Sequence, residues 1–132
     1  MPIRAVSAAI LHDGRFLLVR RGRAPAFGLY AFPGGRVEAN ETLEQAVRRE
    51  IREETGARVE EIRHIIDLEI EAETAGPGIE FILSVHAARF AGGTIMAGDD
   101  AAAVGWFSLA EMNDLPLAGT VLEIAARLAE GT

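Results

Sequence analysis

Three glutamates near the middle of this 132-residue chain are the residues best suited to chemistry. Glu50 precedes Glu53 by three positions and Glu54 by four, so the three share one side of a helix. The two like-charge pairs that Glu50 makes are at helical contact spacing, where each costs about 0.2–0.5 kcal/mol. Converging carboxylates are ligands for a hard divalent cation, which would offset this repulsion. The alternative interpretation is an acidic helix face paired with nearby arginines. The direction in which the glutamates point decides between the two.

A helix must position these carboxylates, and the sequence marks its ends. Asn40 is a suitable N-cap and Gly56 a suitable residue to end the helix. At about 100° per residue the apolar positions form one stripe, made of Leu43, Ala46, Val47 and Ile51. Four polar residues are expected on the water-facing side: Gln45, Arg48, Arg49 and Arg52. The glutamates fall within about 60° of the centre of the stripe. Partly desolvated charge needs compensation there, which favours a metal site.

The segment from Gly35 to Ala57, GRVEANETLEQAVRREIREETGA, resembles the Nudix box of the Nudix hydrolases. Gly35, Glu41 and the run from Arg49 to Gly56 fill every charged and glycine position of that pattern. Ala57 stands where a bulky aliphatic residue is usual, a difference that concerns packing and not chemistry. The resemblance implies an α/β Nudix fold, in which a mixed β-sheet is sandwiched between helices, here as a single domain over residues 1–132.

The resemblance also implies roles for individual residues. Glu50, Glu53 and Glu54 would bind Mg²⁺ or Mn²⁺ together with the backbone carbonyl of Gly35. Arg49 would orient the carboxylates, and Glu41 would pair with it, so that Glu53, Glu54, Arg49 and Glu41 belong to the catalytic set. The implied reaction is hydrolysis of a nucleoside diphosphate linked to another moiety, in which the protein contributes mainly positioning and electrostatics.

The attacking water needs a base, and the substrate needs contacts outside the box. Asp100, in the pair Asp99-Asp100, is the predicted loop carboxylate, as a base or an extra metal ligand; a solvated turn is the alternative. Arg20 and Arg23 could hold substrate phosphates, or they could form a basic strand end in water. Tyr30 could stack on a nucleobase, although core packing is the favoured explanation for an aromatic residue there.

The substrate class is less explicit in the sequence. Residues 92–112, GGTIMAGDDAAAVGWFSLAEM, resemble small Nudix proteins grouped with ADP-ribose pyrophosphatases. Against this resemblance, some ADP-ribose hydrolases carry a proline about fifteen residues after the box, where this chain has Ala72 and Glu73. On balance ADP-ribose or a similar nucleotide-sugar is the favoured substrate, with a (d)NTP pyrophosphohydrolase of the MutT type as the alternative. A non-catalytic nucleotide-binding Nudix module is a second alternative, and the complete catalytic set argues against it.

Composition limits the partners. A net charge of −7 argues against a nucleic-acid polymer, because phosphate backbones are bound by basic surfaces. The chain has no cysteine, which is compatible with a cytoplasmic protein without disulfides. The apolar run Ala5–Leu11 is too short to span a membrane. Assembly into a homodimer stays open.

The elements around the box alternate in type, which indicates an α/β layout. The predicted strands are Ala5–Leu11, Phe16–Arg20, Ile62–Glu71, Ile79–Arg89 and Val104–Phe107. Asp13-Gly14 is a hairpin signal between the first two. Gly22–Gly34 is a predicted loop, rich in glycine and proline. Val121, Leu122, Ala125 and Leu128 form a helical stripe that would cover the sheet.

Overall fold

The computed structural model describes residues 3–22, 26–71, 80–98 and 101–131. Its strands are β1 (Ile3–His12), β2 (Arg15–Arg21), β3 (Tyr30–Ala31), β4 (Gly34–Arg36), β5 (Arg58–Glu71), β6 (Glu80–Gly92) and β7 (Ala101–Phe107). Its helices are α1 (Leu43–Thr55), α2 (Leu109–Met112) and α3 (Val121–Glu130). Among these helices, none is long and apolar enough to cross a membrane.

A mixed sheet forms the centre of the molecule. Strand β1 runs parallel to β6, and β6 runs antiparallel to β5, which lies at one edge. On its other side β1 pairs antiparallel with β4 and, at its end, with β2. Strand β2 also pairs with β3 and β7. The β1–β2 turn has left-handed backbone at Asp13 and Gly14, with φ of 50° and 76°, which confirms the predicted hairpin.

Successive side chains of each strand point to opposite faces of the sheet, and helices pack on both faces. One core cluster lies against α1 and is built around Val6, Ala8, Ile10, Leu17, Val47 and Ile51. The other lies against α2 and α3 and is built around Ala9, Phe16, Leu18, Met112, Ile124 and Ala125. Neighbouring residues on β1 and β2 thus serve opposite clusters. This arrangement confirms the predicted mixed sheet between helices.

The predicted strands are confirmed within the described residues, with somewhat different ends. Strand β5 begins at Arg58 instead of Ile62, and β7 begins at Ala101 instead of Val104. The expected loop Gly22–Gly34 was wrong in part, because it contains β3 and the first residue of β4. Strands of two and three residues are too short to show an alternating pattern.

Candidate metal and catalytic site

Helix α1 begins two residues later than the sequence suggested. Thr42 is its N-cap, and its Oγ1 accepts from the N–H of Gln45 at 3.1 Å while Gln45 Oε1 accepts from the N–H of Thr42 at 2.9 Å. The N-cap prediction of Asn40 is wrong because Asn40 has left-handed backbone with φ of 65°, whereas an N-cap residue is extended. The predicted end is confirmed: Gly56 has φ of 80°, and its N–H donates to Arg52 at 2.9 Å.

Arg49 is the centre of the site. Its Nε and Nη2 donate to the two carboxylate oxygens of Glu41 at 2.7 and 2.9 Å. Its Nη1 donates to Glu50 at 2.6 Å and to Glu53 at 3.2 Å, and Nη2 also donates to the carbonyl of Arg36 at 2.9 Å. The expectation that Arg49 points into water is wrong: its side chain is 21% exposed, because the long stem lets the guanidinium reach round the helix to the carboxylates.

The Arg49–Glu41 pair is held in its charged form. The hydrogen bonds from Arg49, followed by that from the N–H of Glu38 at 3.0 Å, lower the pKa of Glu41 to about 2. The same contact with Glu41 raises the pKa of Arg49 above its ordinary value. Arg49 therefore carries a permanent positive charge in the middle of four carboxylates, those of Glu38, Glu41, Glu50 and Glu53.

Strand β4 brings backbone against the carboxylates. A Cβ placed on Gly35 would lie 2.3 Å from Glu50 Oε2, so only glycine leaves room for the carboxylate there. The N–H of Gly34 donates to Glu54 Oε1 at 3.1 Å. A Cβ on Gly34 would in turn lie 2.0 Å from the carbonyl oxygen of Val6, so this glycine also lets β4 approach β1.

Burial differs across the carboxylates. The side chain of Glu50 is 15% exposed and that of Glu41 12%, whereas that of Glu53 is 45% exposed. Glu50 therefore lies at the core side of α1, as the helix geometry predicts. The same expectation was wrong for Glu53, which lies nearer the edge of the helix face, and the site opens to solvent there.

The donor set fits a hard divalent cation. Glu50, Glu53 and Glu54 supply carboxylate oxygens on one side of α1, and the backbone of Gly35 borders the same space. Within the residues that the structure describes, no three His, Asp or Glu side chains are arranged as a preformed metal site. Arg49 instead supplies the positive charge that Glu50 and Glu53 contact.

Two of the predicted substrate residues, Arg20 and Tyr30, make their contacts away from the carboxylates. Tyr30 packs edge-on against Phe107 at 5.4 Å between ring centroids and joins the core cluster under α3. Arg20 pairs with Tyr30 across β2 and β3, and its Nε donates to the carbonyl of Gly28 at 3.3 Å. The structure does not bring either residue into contact with the carboxylates, and their substrate roles stay predictions.

Two predicted residues, Arg23 and Asp100, lie outside the described residues. Gly98, two positions before Asp100 in the sequence, lies at the end of α1, where its N–H donates to the backbone carbonyl of Glu54 at 2.9 Å. The base role of Asp100 stays a prediction. Gly34 and Thr42 were missed by the sequence reasoning. Thr42 and Gln45 form a Thr-x-x-Gln capping box that could have been read from the sequence.

Comparison with known proteins gives the family to which this helix–sheet–helix fold and glutamate site belong. The NUDIX domain family matches residues 1–128. The chain therefore belongs to the Nudix hydrolase family, whose members are pyrophosphohydrolases that act on nucleotide anhydrides.

Three similar proteins illustrate this membership. An ADP-ribose pyrophosphatase of Methanocaldococcus jannaschii is 39% identical over 119 residues, covering 87% of this chain and 65% of the relative. The NAD-capped RNA hydrolase NudC of Vibrio atlanticus is 32% identical over 128 residues, covering 96% of this chain and 44% of the relative. The crystal structure of a MutT NUDIX hydrolase from Burkholderia pseudomallei has a TM-score of 0.82 and 34% identity, covering 96% of this chain and 97% of that one. The chain thus spans less than two thirds of the first two relatives.

Proposed function

We propose that this protein hydrolyses a nucleoside diphosphate linked to another moiety, with ADP-ribose or a similar nucleotide-sugar as the favoured substrate. The observation that carries the proposal is the single cluster in which Arg49 contacts Glu41, Glu50 and Glu53 while Gly35 leaves room for the Glu50 carboxylate. An acidic cluster of this kind, ordered by one arginine and closed by backbone, is suited to a metal-assisted phosphorus–oxygen cleavage.

Mg²⁺ or Mn²⁺ is the proposed cofactor. Glu50, Glu53, Glu54 and the carbonyl of Gly35 are the residues that would hold it. The chemistry that such an ion supplies when bound is neutralisation of phosphate oxygens and a lower pKa for the attacking water. Since the chain has a net charge of −7, a diphosphate substrate needs such a cation at the site.

The protein's own residues orient the carboxylates. Arg49 fixes Glu50 and Glu53 through one nitrogen, Nη1, and Glu41 fixes Arg49 through a two-point contact. Gly34 fixes Glu54 through its N–H. Asp100 is the proposed base that accepts a proton from the attacking water. The hydrogen bond from Gly98 to Glu54 supports this role, because it holds Gly98, two residues before Asp100 in the sequence, at the end of α1.

Two similar proteins support different substrates. The ADP-ribose pyrophosphatase relative supports a nucleotide-sugar, in agreement with the resemblance of residues 92–112. The MutT NUDIX hydrolase structure, which matches this chain over almost its whole length, supports a (d)NTP pyrophosphohydrolase as the second candidate.

Product analysis separates the two candidates. The purified protein is incubated with Mg²⁺ or Mn²⁺ and with ADP-ribose or a dNTP, and the products are identified by chromatography. AMP plus ribose 5-phosphate, formed from ADP-ribose, is the expected result. A nucleoside monophosphate plus pyrophosphate, formed from the dNTP, would instead favour the (d)NTP pyrophosphohydrolase. Binding of either nucleotide without any hydrolysis would favour a non-catalytic Nudix module.

Matched glutamine variants test the proposed residues. Glu53→Gln and Glu54→Gln should each lower turnover by orders of magnitude and leave the fold intact. Glu44→Gln is the control, because Glu44 lies on the same helix but pairs with Arg48 at 3.2 Å, away from the cluster. Wild-type turnover in both test variants would contradict the assignment of the carboxylates.

A further inference from the structure

We propose a second ligand site on the face of the sheet that α3 covers, which takes a small amphiphilic anion. A cavity of about 470 Å³ opens there, between the β1–β2 hairpin, the strands β5 and β6, and α3. This volume lies in the range of about 300–1,000 Å³ that is usual for small-molecule sites. Its lining includes no residue of the carboxylate cluster.

The floor of the cavity is apolar and made of small side chains. Ala9 on β1 and Ala87 on β6 are directly opposed in the parallel pairing of the two strands. Leu11 and Leu128 line the same space. Ala9 itself is buried, whereas Ala87, Leu11 and Leu128 are only partly buried and leave apolar surface that a ligand could cover.

A β-bulge shapes the rim. The pairing of β5 with β6 shifts from Glu60↔Arg89 to Arg63↔Ala87, so that β5 has one extra residue between these pairs. Glu61, inside the bulge, has φ of 53°, a conformation that is costly for a residue other than glycine. Bulges redirect side chains, and here both Glu61 and Arg63 line the cavity.

Among the rim residues that the structure describes, the charges leave one cation available. Arg89 forms ion pairs with Glu60 and with Glu61, the latter at 3.2 Å. The side chain of Arg63, in contrast, has no hydrogen bond or ion pair with the described part of the chain. A free guanidinium binds carboxylate or phosphate through paired donors. The ligand is therefore a molecule with one such group for Arg63 and an apolar body for the alanine floor.

Two isosteric probes test this chemistry by amide chemical shifts of the full chain. Benzoate carries a carboxylate and an apolar ring, and benzamide has nearly the same shape without the charge. Benzoate should shift the amides of Gly14, Ala87 and Leu128 in a saturable manner, and benzamide should bind about tenfold more weakly. Phenyl phosphate is titrated in parallel: saturation by either anion supports the site, and the tighter one identifies its preferred anionic group.

Two variants complete the test. Arg63→Gln should weaken the benzoate-dependent shifts about tenfold, whereas Arg58→Gln, the same change on the same strand outside the cavity, should not. Ala87→Leu should block the site by filling it. The proposal is overturned if neither anion shifts the cavity amides in a saturable manner, if the shifts are confined to amides near Gly35, or if Arg63→Gln binds the tighter anion as the wild type does. Hydrolysis at the carboxylate cluster is unaffected by these outcomes, since the two sites share no residue.

Discussion

Replacing Gly35 by alanine is a test in which the structure gives the size of the perturbation. The added Cβ would lie 2.3 Å from Glu50 Oε2, 2.4 Å from its Cδ and 2.7 Å from Oε1. A van der Waals contact needs about 3.5 Å, so the carboxylate must move by about 1 Å. Gly35 does not have positive φ, so the backbone itself accepts alanine.

The displacement should affect activity far more than stability. Glu50 is a flexible side chain that can turn away, at the expense of its 2.6 Å hydrogen bond from Arg49, so the free energy of unfolding should fall by only about 1 kcal/mol. A misplacement of about 1 Å at a reacting centre can lower the rate about 100-fold. We therefore expect kcat to fall by about two orders of magnitude in Gly35→Ala.

The assay compares kcat for ADP-ribose with urea unfolding at saturating Mg²⁺. Gly131→Ala is the matched control, because Gly131 has negative φ and a Cβ there would meet nothing closer than 3.8 Å. Wild-type kcat in Gly35→Ala would refute the inference that activity requires the Glu50 carboxylate in its position beside Gly35. An equal loss in the control would attribute the effect to glycine replacement in general.

Three further predictions concern stability. Thr42→Ala should lower the free energy of unfolding in urea by about 1 kcal/mol, since it removes a capping box. Thr120→Ala should change it little, because the N-cap Thr120 makes no side-chain hydrogen bond to the helix. Equal losses in the two variants would contradict this prediction. The pKa of Glu41 is lowered to about 2, so its stabilisation is present above its unfolded pKa of about 4.3 and is lost as the pH falls towards 2. The stability difference between wild type and Glu41→Gln should shrink over that interval, and a constant difference would disprove the coupling. Burial lowers the pKa of His86. Wild type should therefore lose stability relative to His86→Gln as the pH falls from 7 to 5, through the unfolded pKa of about 6.5. Parallel curves of stability against pH for the two proteins would contradict this.

The sequence predicted the long elements well because their periodicity is strong. The apolar stripe through Val47 and Ile51 places Glu50 at the core side of α1, where its side chain is 15% exposed. Angular position did not predict Arg49, since a helical wheel gives the direction of Cβ and a long side chain can reach round the helix. The N-cap was misplaced because Asn40 and Thr42 are both good capping residues, and only Gln45 distinguishes them.

Contacts between distant segments were the part that the sequence could not supply. No local pattern indicates that the N–H of Gly34 donates to Glu54, twenty residues away. The same applies to Tyr30: the sequence favours core packing for its aromatic ring, but only the sheet pairing shows that the ring packs against Phe107. Such contacts depend on how β4 and α1 pack on β1, which is a property of the whole fold.

The central claim is that Glu50, Glu53 and Glu54 bind a divalent cation. The most direct measurement is a titration of the protein with Mn²⁺, followed by electron paramagnetic resonance of the free ion, in wild type, Glu54→Gln and the control Glu44→Gln. Wild type and Glu44→Gln should bind Mn²⁺ with the same affinity, and Glu54→Gln should bind it at least about tenfold more weakly. Equal affinity in all three proteins would contradict the claim.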